Sequence, residues 1–236
     1  MLASNLPALD IAAFSLFAVC WLSYALLANH VVTRRPSLLS TMRIFRTRWI
    51  ERMSERDLHV SDATLMSNLL RGALFFASTT VFILGGVVAL LGTAPKVAEV
   101  IAQLPYASAT SQRLAEMKAM ILIIVYVYAF FKFTWSAWLY NVMAIMVGSM
   151  PPKSATDAQA QHHRAAAASV VLLAGEAYNN GMRAYYFSIP LMAWIIDPWL
   201  FMITTLIVTI VLYRREFHSP LVAALRDVEA DNANRR

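Results

Sequence analysis

Glu176, Asn180 and Arg183 stand at i, i+4 and i+7 in a long apolar stretch. On a helix that spacing puts a carboxylate, an amide and a guanidinium on one face within about 10 Å of each other. Asn179 flanks the same face. Tyr128, Lys132, Ser136 and Tyr140 follow every four residues in a second apolar stretch, and Asn68, Arg71 and Ser78 mark a third. A charged group in hydrocarbon is strongly penalised unless it finds water or a partner, so these three stripes are expected to face inward and meet. Two chemistries suit such a meeting. One is a hydrogen-bonded ion-pair network that fixes helix register. The other is a polar path or binding pocket, and since Arg71, Lys132 and Arg183 outnumber Glu176, an aqueous route through them favours anions.

Other chemistries find little support. His30, His59, His162, His163 and His218 fall at helix ends, in loops or in the tail, where they cannot serve as axial haem ligands inside a bundle. His162 and His163 lie in a polar linker with no Asp, Glu or Cys set to complete a metal site. Cys20, the only cysteine, lies inside an apolar run, which rules out an intrachain disulfide and a thiolate cluster. There is no GxSxG elbow, HExxH pair or glycine-rich phosphate loop, so neither an enzyme nor a cofactor is expected. The aromatic residues from Tyr126 to Trp138 surround their helix on all sides and read as packing and interface anchors.

The elements that must position these residues are membrane helices. Of the 236 residues 59% are hydrophobic and 14% charged, more apolar surface than a soluble domain can hide. Residues 9–28, 68–91, 117–147, 168–196 and 199–213 are the expected membrane helices, within a single membrane domain over 1–236. Each approaches the roughly 20 apolar residues that a crossing needs. The first is read as an uncleaved helix, because no positive n-region precedes it. A short helix around Val97 to Leu104 has room in the connection broken by Pro95 and Pro105.

Residues 34–60 form a basic segment with seven arginines, in which Met42, Phe45, Trp49 and Met53 recur at helical spacing. Two placements suit it. A helix lying in the membrane surface would put Trp49 at headgroup depth and Arg43, Arg46 and Arg52 against anionic lipid phosphates. The other placement packs it on the cytoplasmic end of the bundle. Ser61 or Asp62 can cap the helix that follows. The stretch after Arg164 is either two helices hinged at Asp197 and Pro198, or an amphipathic helix followed by one span kinked at Pro190 and Pro198.

The net charge of +6 sits beside the hydrophobic spans, and no separate polar domain is present to hold nucleic acid. By the positive-inside rule, the arginines after the first helix and those of the 214–236 tail lie in the cytoplasm. An external N-terminus and an internal C-terminus then require an odd number of crossings, hence five; four is the alternative count.

RDLHVSDA (56–63), NLLRGALFFASTT (68–80), YAFFKFTW (128–135), YNNGMRAYYF (178–187), DPWLFMITTLIV (197–208) and LYRREF (212–217) occur together. In this combination the chain resembles the bacterial membrane family called domain of unknown function 599. The resemblance implies a multi-spanning bacterial membrane protein and brings no activity or cofactor. The chain departs from the family's pattern at Asn179, Asn180 and Gly181, where an asparagine-arginine pair before the glycine is expected. Its fold class is thus read as all-α, a polytopic helical bundle of the bacterial inner membrane. A channel or carrier for a small anion is the leading functional expectation. A structural or assembly subunit of a larger membrane complex, or a homo-oligomer, is the other.

Overall fold

The computed structural model describes residues 7–30, 37–54, 56, 60–92, 111–151 and 157–234. All regular structure among them is helical: α1 (Ala8–His30), α2 (Leu38–Ser54), α3 (Val60–Gly92), α4 (Gln112–Gly148), α5 (Asp157–Ile196), α6 (Pro198–Phe217) and α7 (Pro220–Asn234). The short helix expected around Val97 to Leu104 lies outside the described residues.

Local chemistry fixes several helix ends. At the start of α2, the Ser37 hydroxyl accepts from the Ser40 amide at 3.1 Å and the Ser37 amide donates to the Ser40 hydroxyl at 2.8 Å. This is a capping box with serine in place of the usual Glu or Gln. Asp197 caps α6, accepting from the Trp199 and Leu200 amides at 2.7 and 3.2 Å, while Pro198 takes the first position, where a missing N–H costs nothing. The break expected at Asp197 and Pro198 is therefore real, and Pro190 lies inside α5, which is continuous to Ile196. The region 214–236 is not a simple tail: its first residues complete α6 and most of the rest is α7.

Ala8–Leu27, Val60–Gly92 and Gln112–Gly148 are long and apolar enough to cross a membrane. At 33 residues α3 is about 50 Å long, so it projects beyond a hydrocarbon core of about 30 Å. Its apolar window is only 17% buried by protein, and Phe82 is 80% exposed. An outward apolar face of that kind is compatible with lipid around the helix. α5 differs. Ala167, Val171, Ala174, Ala177, Gly181 and Ala184 line its buried side, so it packs inside on small residues and carries fewer large apolar groups than the other long helices.

The chain divides into two compact units, to both of which α2, α3, α4 and α5 contribute. The first takes in residues 1–41, 84–126 and 185–236. In it α1 packs against α6, with Phe17, Trp21, Phe187, Trp194 and Phe201 in mutual ring contact. The Glu216 carboxylate, almost fully buried, accepts from the Leu39 amide at 3.0 Å and so satisfies a free donor at the start of α2.

The second unit takes in 42–83 and 127–184. Its core joins Ile50 and Met53 of α2 to Met66 of α3, Leu139 and Met143 of α4, and Val171 and Ala174 of α5. The described part of the basic segment, α2, is thus packed on α3, α4 and α5. Trp49 donates to the buried Asp62 at 2.8 Å, and Arg56 donates to both oxygens of that carboxylate. Asp62 sits in the first turn of α3, so its job is to join α2 to α3. The expected cap is replaced by a tertiary clamp.

Candidate functional site

The residues singled out from the sequence all fall in the second unit, which groups some of them and not others. The Glu176 carboxylate receives a hydrogen bond and ion pair from Arg43 on α2. The side chains keep 40% and 31% exposure, so the pair is reachable from outside the protein. Arg46, one turn further along α2, lies against α5 at Gly175. A Cβ at position 175 would fall on the Arg46 guanidinium, so glycine is what admits the side chain there. Arg46 is also within electrostatic reach of Tyr140, beside which Tyr178 stands.

Of the two placements expected for the basic segment, the contacts of Arg43 and Arg46 with α5 suit the one packed on the bundle. At about 100° per residue, Arg43, Arg46, Ile50 and Met53 share a face roughly 70° round from the Met42, Phe45, Trp49 and Met53 stripe. That rotation turns both arginines, each only partly buried, toward α5, which offers them a carboxylate and a glycine notch. Arg52 is exposed.

Around this pair, Ser136 is buried and donates to the Ala174 carbonyl at 2.8 Å, tying α4 to α5. Phe133 fills the space over Gly181, where a Cβ would meet its ring at 2.7 Å. Arg183 is buried and donates to Asn180 at 3.2 Å, within reach of Tyr128, over whose ring Lys132 stands at 5.4 Å. Asn179 is half-buried. Arg71 and Asn68 do not join them: both are exposed, and Arg71 donates to Ser67 one turn back on α3.

The cluster has spare donors. Arg43 Nε and Arg46 Nη1 are buried and have no hydrogen-bond partner among the described residues. Leaving a buried charged donor unsatisfied costs about 1–3 kcal/mol or more, a cost that an acceptor oxygen would relieve. Chemically, the arrangement can bind anions. It offers no nucleophile beside a base, and no group of three or more His, Cys, Asp or Glu able to hold a metal occurs among the described residues. His163 bonds the Met146 carbonyl at 2.9 Å.

One buried ionic group escaped the sequence reading. In the first unit, Lys118 on α4 pairs with Asp10 on α1 at 3.0 Å and donates to the Trp194 carbonyl on α5, also at 3.0 Å. The Trp194 indole donates to the same Asp10 oxygen at 2.7 Å. All three side chains are at most 5% exposed. Each charged residue occupies the first turns of an apolar helix, where charge is ordinary, so no spacing signals the pairing.

Compared with known proteins, residues 12–221 match the family model described as protein of unknown function, DUF599. No curated protein and no solved structure matches the chain.

Proposed function

The chain belongs to the DUF599 family, and on that footing we propose that it is a channel or carrier that binds a small anion at the Arg43, Arg46 and Glu176 cluster. The observation that carries this reading is the Arg46 guanidinium, buried in the Gly175 notch with an unused Nη1 beside an arginine whose Nε is also unused. Arg43 and Arg46 bring two guanidinium groups to the one carboxylate of Glu176. An anion restores the balance.

The membrane setting of this proposal is the bacterial inner membrane, crossed five times with the N-terminus outside and the C-terminus in the cytoplasm. α5 and α6 supply the fourth and fifth crossings. α6 supports this in two ways. Its 20 residues measure about 30 Å, the thickness of a hydrocarbon core, and Trp199, Ile203, Leu206, Ile207 and Ile210 form an exposed apolar face along it.

Sulfate added to the purified protein in detergent, at constant ionic strength, should raise the melting temperature in a saturable way. Arg46→Gln should remove that response while the protein still assembles. A sulfate response that is unchanged in Arg46→Gln would place the anion elsewhere. No response in the parent protein would favour the accessory-subunit reading.

A further inference from the structure

Among the described residues Lys132 makes no hydrogen bond and no ion pair; its ammonium stands 5.4 Å from the centre of the Tyr128 ring. A ring face offers a cation part of a charge, never a whole one. α4 is long and apolar enough to cross a membrane, and from Ala119 to Gly148 Lys132 is its one charged residue. At about 1.5 Å per residue, about 20 Å of uncharged helix precede it and about 24 Å follow. Lysines near a helix end snorkel to the headgroups, but Lys132 stands near the middle of this uncharged stretch. An ammonium at that depth calls for an opposite charge.

The neighbours of Lys132 form an outward face. Tyr128, Lys132 and Trp135 stand at i, i+4 and i+7, in one stripe of α4. Tyr128 and Trp135 are 42% and 51% exposed and Lys132 is half-buried. Trp135 stacks on Trp138 at 4.8 Å, which makes a flat apolar shelf beside the cation. The Tyr128 hydroxyl likewise has no hydrogen-bond partner among the described residues. On α5 the buried Arg183 is within electrostatic reach of Tyr128, so a second cation adds to the positive field on this stripe.

We propose that this stripe docks a transmembrane helix of a different protein, one that carries an aspartate or glutamate near its middle. The partner's carboxylate pairs with the Lys132 ammonium and accepts from the Tyr128 hydroxyl, while its apolar side lies along Trp135 and Trp138. Hydrocarbon penalises each charge alone, so the two charges favour association. A second copy of this chain does not meet the requirement. Across residues 11–28, 72–91, 119–148, 165–196 and 199–213, Glu176 is the one carboxylate, and Arg43 holds it. A phospholipid headgroup lies at the wrong depth. The face shares no residue with the Arg43, Arg46 and Glu176 cluster and does not depend on what that cluster binds.

The test places the full-length protein in lipid nanodiscs with a fluorescent leucine-alanine transmembrane peptide bearing one central glutamate, and reads association by energy transfer. The parent should bind this peptide roughly tenfold more tightly than the same peptide with a central glutamine. Lys132→Met should lose that preference and Lys132→Arg should keep it. Equal binding of the two peptides by the parent, or a preference that survives in Lys132→Met, would overturn the proposal. Without the peptide, Lys132→Met should melt no lower in detergent than the parent, because Lys132 has no ionic partner of its own to lose. A marked fall would mean that groups of this chain already hold the lysine, and would overturn it too. Should Lys132→Met fail to assemble, a peptide series on the parent decides: binding should weaken when the glutamate moves two helical turns toward either end, and binding indifferent to its position would overturn the proposal. Energy transfer between labelled copies of the parent that is lost in Lys132→Met would assign the face to self-association instead. A sulfate response lost in Lys132→Met would assign the lysine to the anion route and overturn the docking face, whereas the sulfate response of Arg46→Gln tests the anion reading alone.

Discussion

Asp10 and Lys118 in one unit, and Glu176 with Arg43 and Arg46 in the other, are both buried or half-buried ionic groups, and they are completed differently. Lys118 has a carboxylate, a backbone carbonyl and the face of Trp194, 5.3 Å from its ammonium, while Asp10 accepts from both Lys118 and the indole. Charge there is matched one to one. In the second group two guanidinium ions meet one carboxylate, and two of their nitrogens are buried without a protein acceptor. A membrane protein that only needed to fix helix register would do so in the first way. The surplus in the second is what argues for a ligand.

The largest effect should come from breaking the balanced group. Lys118→Met leaves Asp10 buried and uncompensated, which costs about 3–5 kcal/mol. Thermal denaturation in detergent should show a large loss, and the double change Asp10→Asn with Lys118→Met should recover most of it. A small loss in the single variant would mean that water reaches Asp10. The sulfate response should survive in whichever of these variants folds, since the proposed anion site is elsewhere.

Gly181→Ala should have the next largest effect. The new methyl meets the Phe133 ring, and overpacking of this kind costs about 1–3 kcal/mol. The same assay checks it, and stability equal to the parent's would show that Phe133 moves aside freely.

Much of this arrangement is legible in the amino-acid order. The apolar runs mark the central parts of α1, α3 and α4, while the helices reach further, to Val60 and Gln112, because polar first turns such as Ser61–Asp62 and Gln112–Glu116 stay helical outside hydrocarbon. α5 likewise begins at Asp157, where alanine-rich sequence favours a helix that hydropathy does not mark. Glu176, Asn180 and Arg183 do share a helix. What spacing does not convey is tertiary pairing. The partner of Glu176 is Arg43, more than a hundred residues away on a helix whose most apolar stripe points to a different face. Arg71 shows the reverse error: cation count placed it with the others, and a local bond to Ser67 keeps it outside. Asp10 and Lys118 were missed for the same reason, since nothing in either neighbourhood signals the other.

Arg71 also supplies the smallest expected effect and the sharpest control. Arg71→Gln should change stability by no more than about 0.5 kcal/mol, as an exposed substitution does, and should leave the sulfate response intact. A lost response would draw Arg71 back into the anion site and blur the distinction between the two groups.

Locating selenate, a heavier relative of sulfate, by anomalous scattering in crystals of the protein tests the central claim most directly. The predicted result is one selenate beside Gly175, its oxygens on Arg43 and Arg46, and none at Asp10 and Lys118. Bare density at that position, with Arg43 Nε and Arg46 Nη1 both satisfied by protein oxygens, would contradict it.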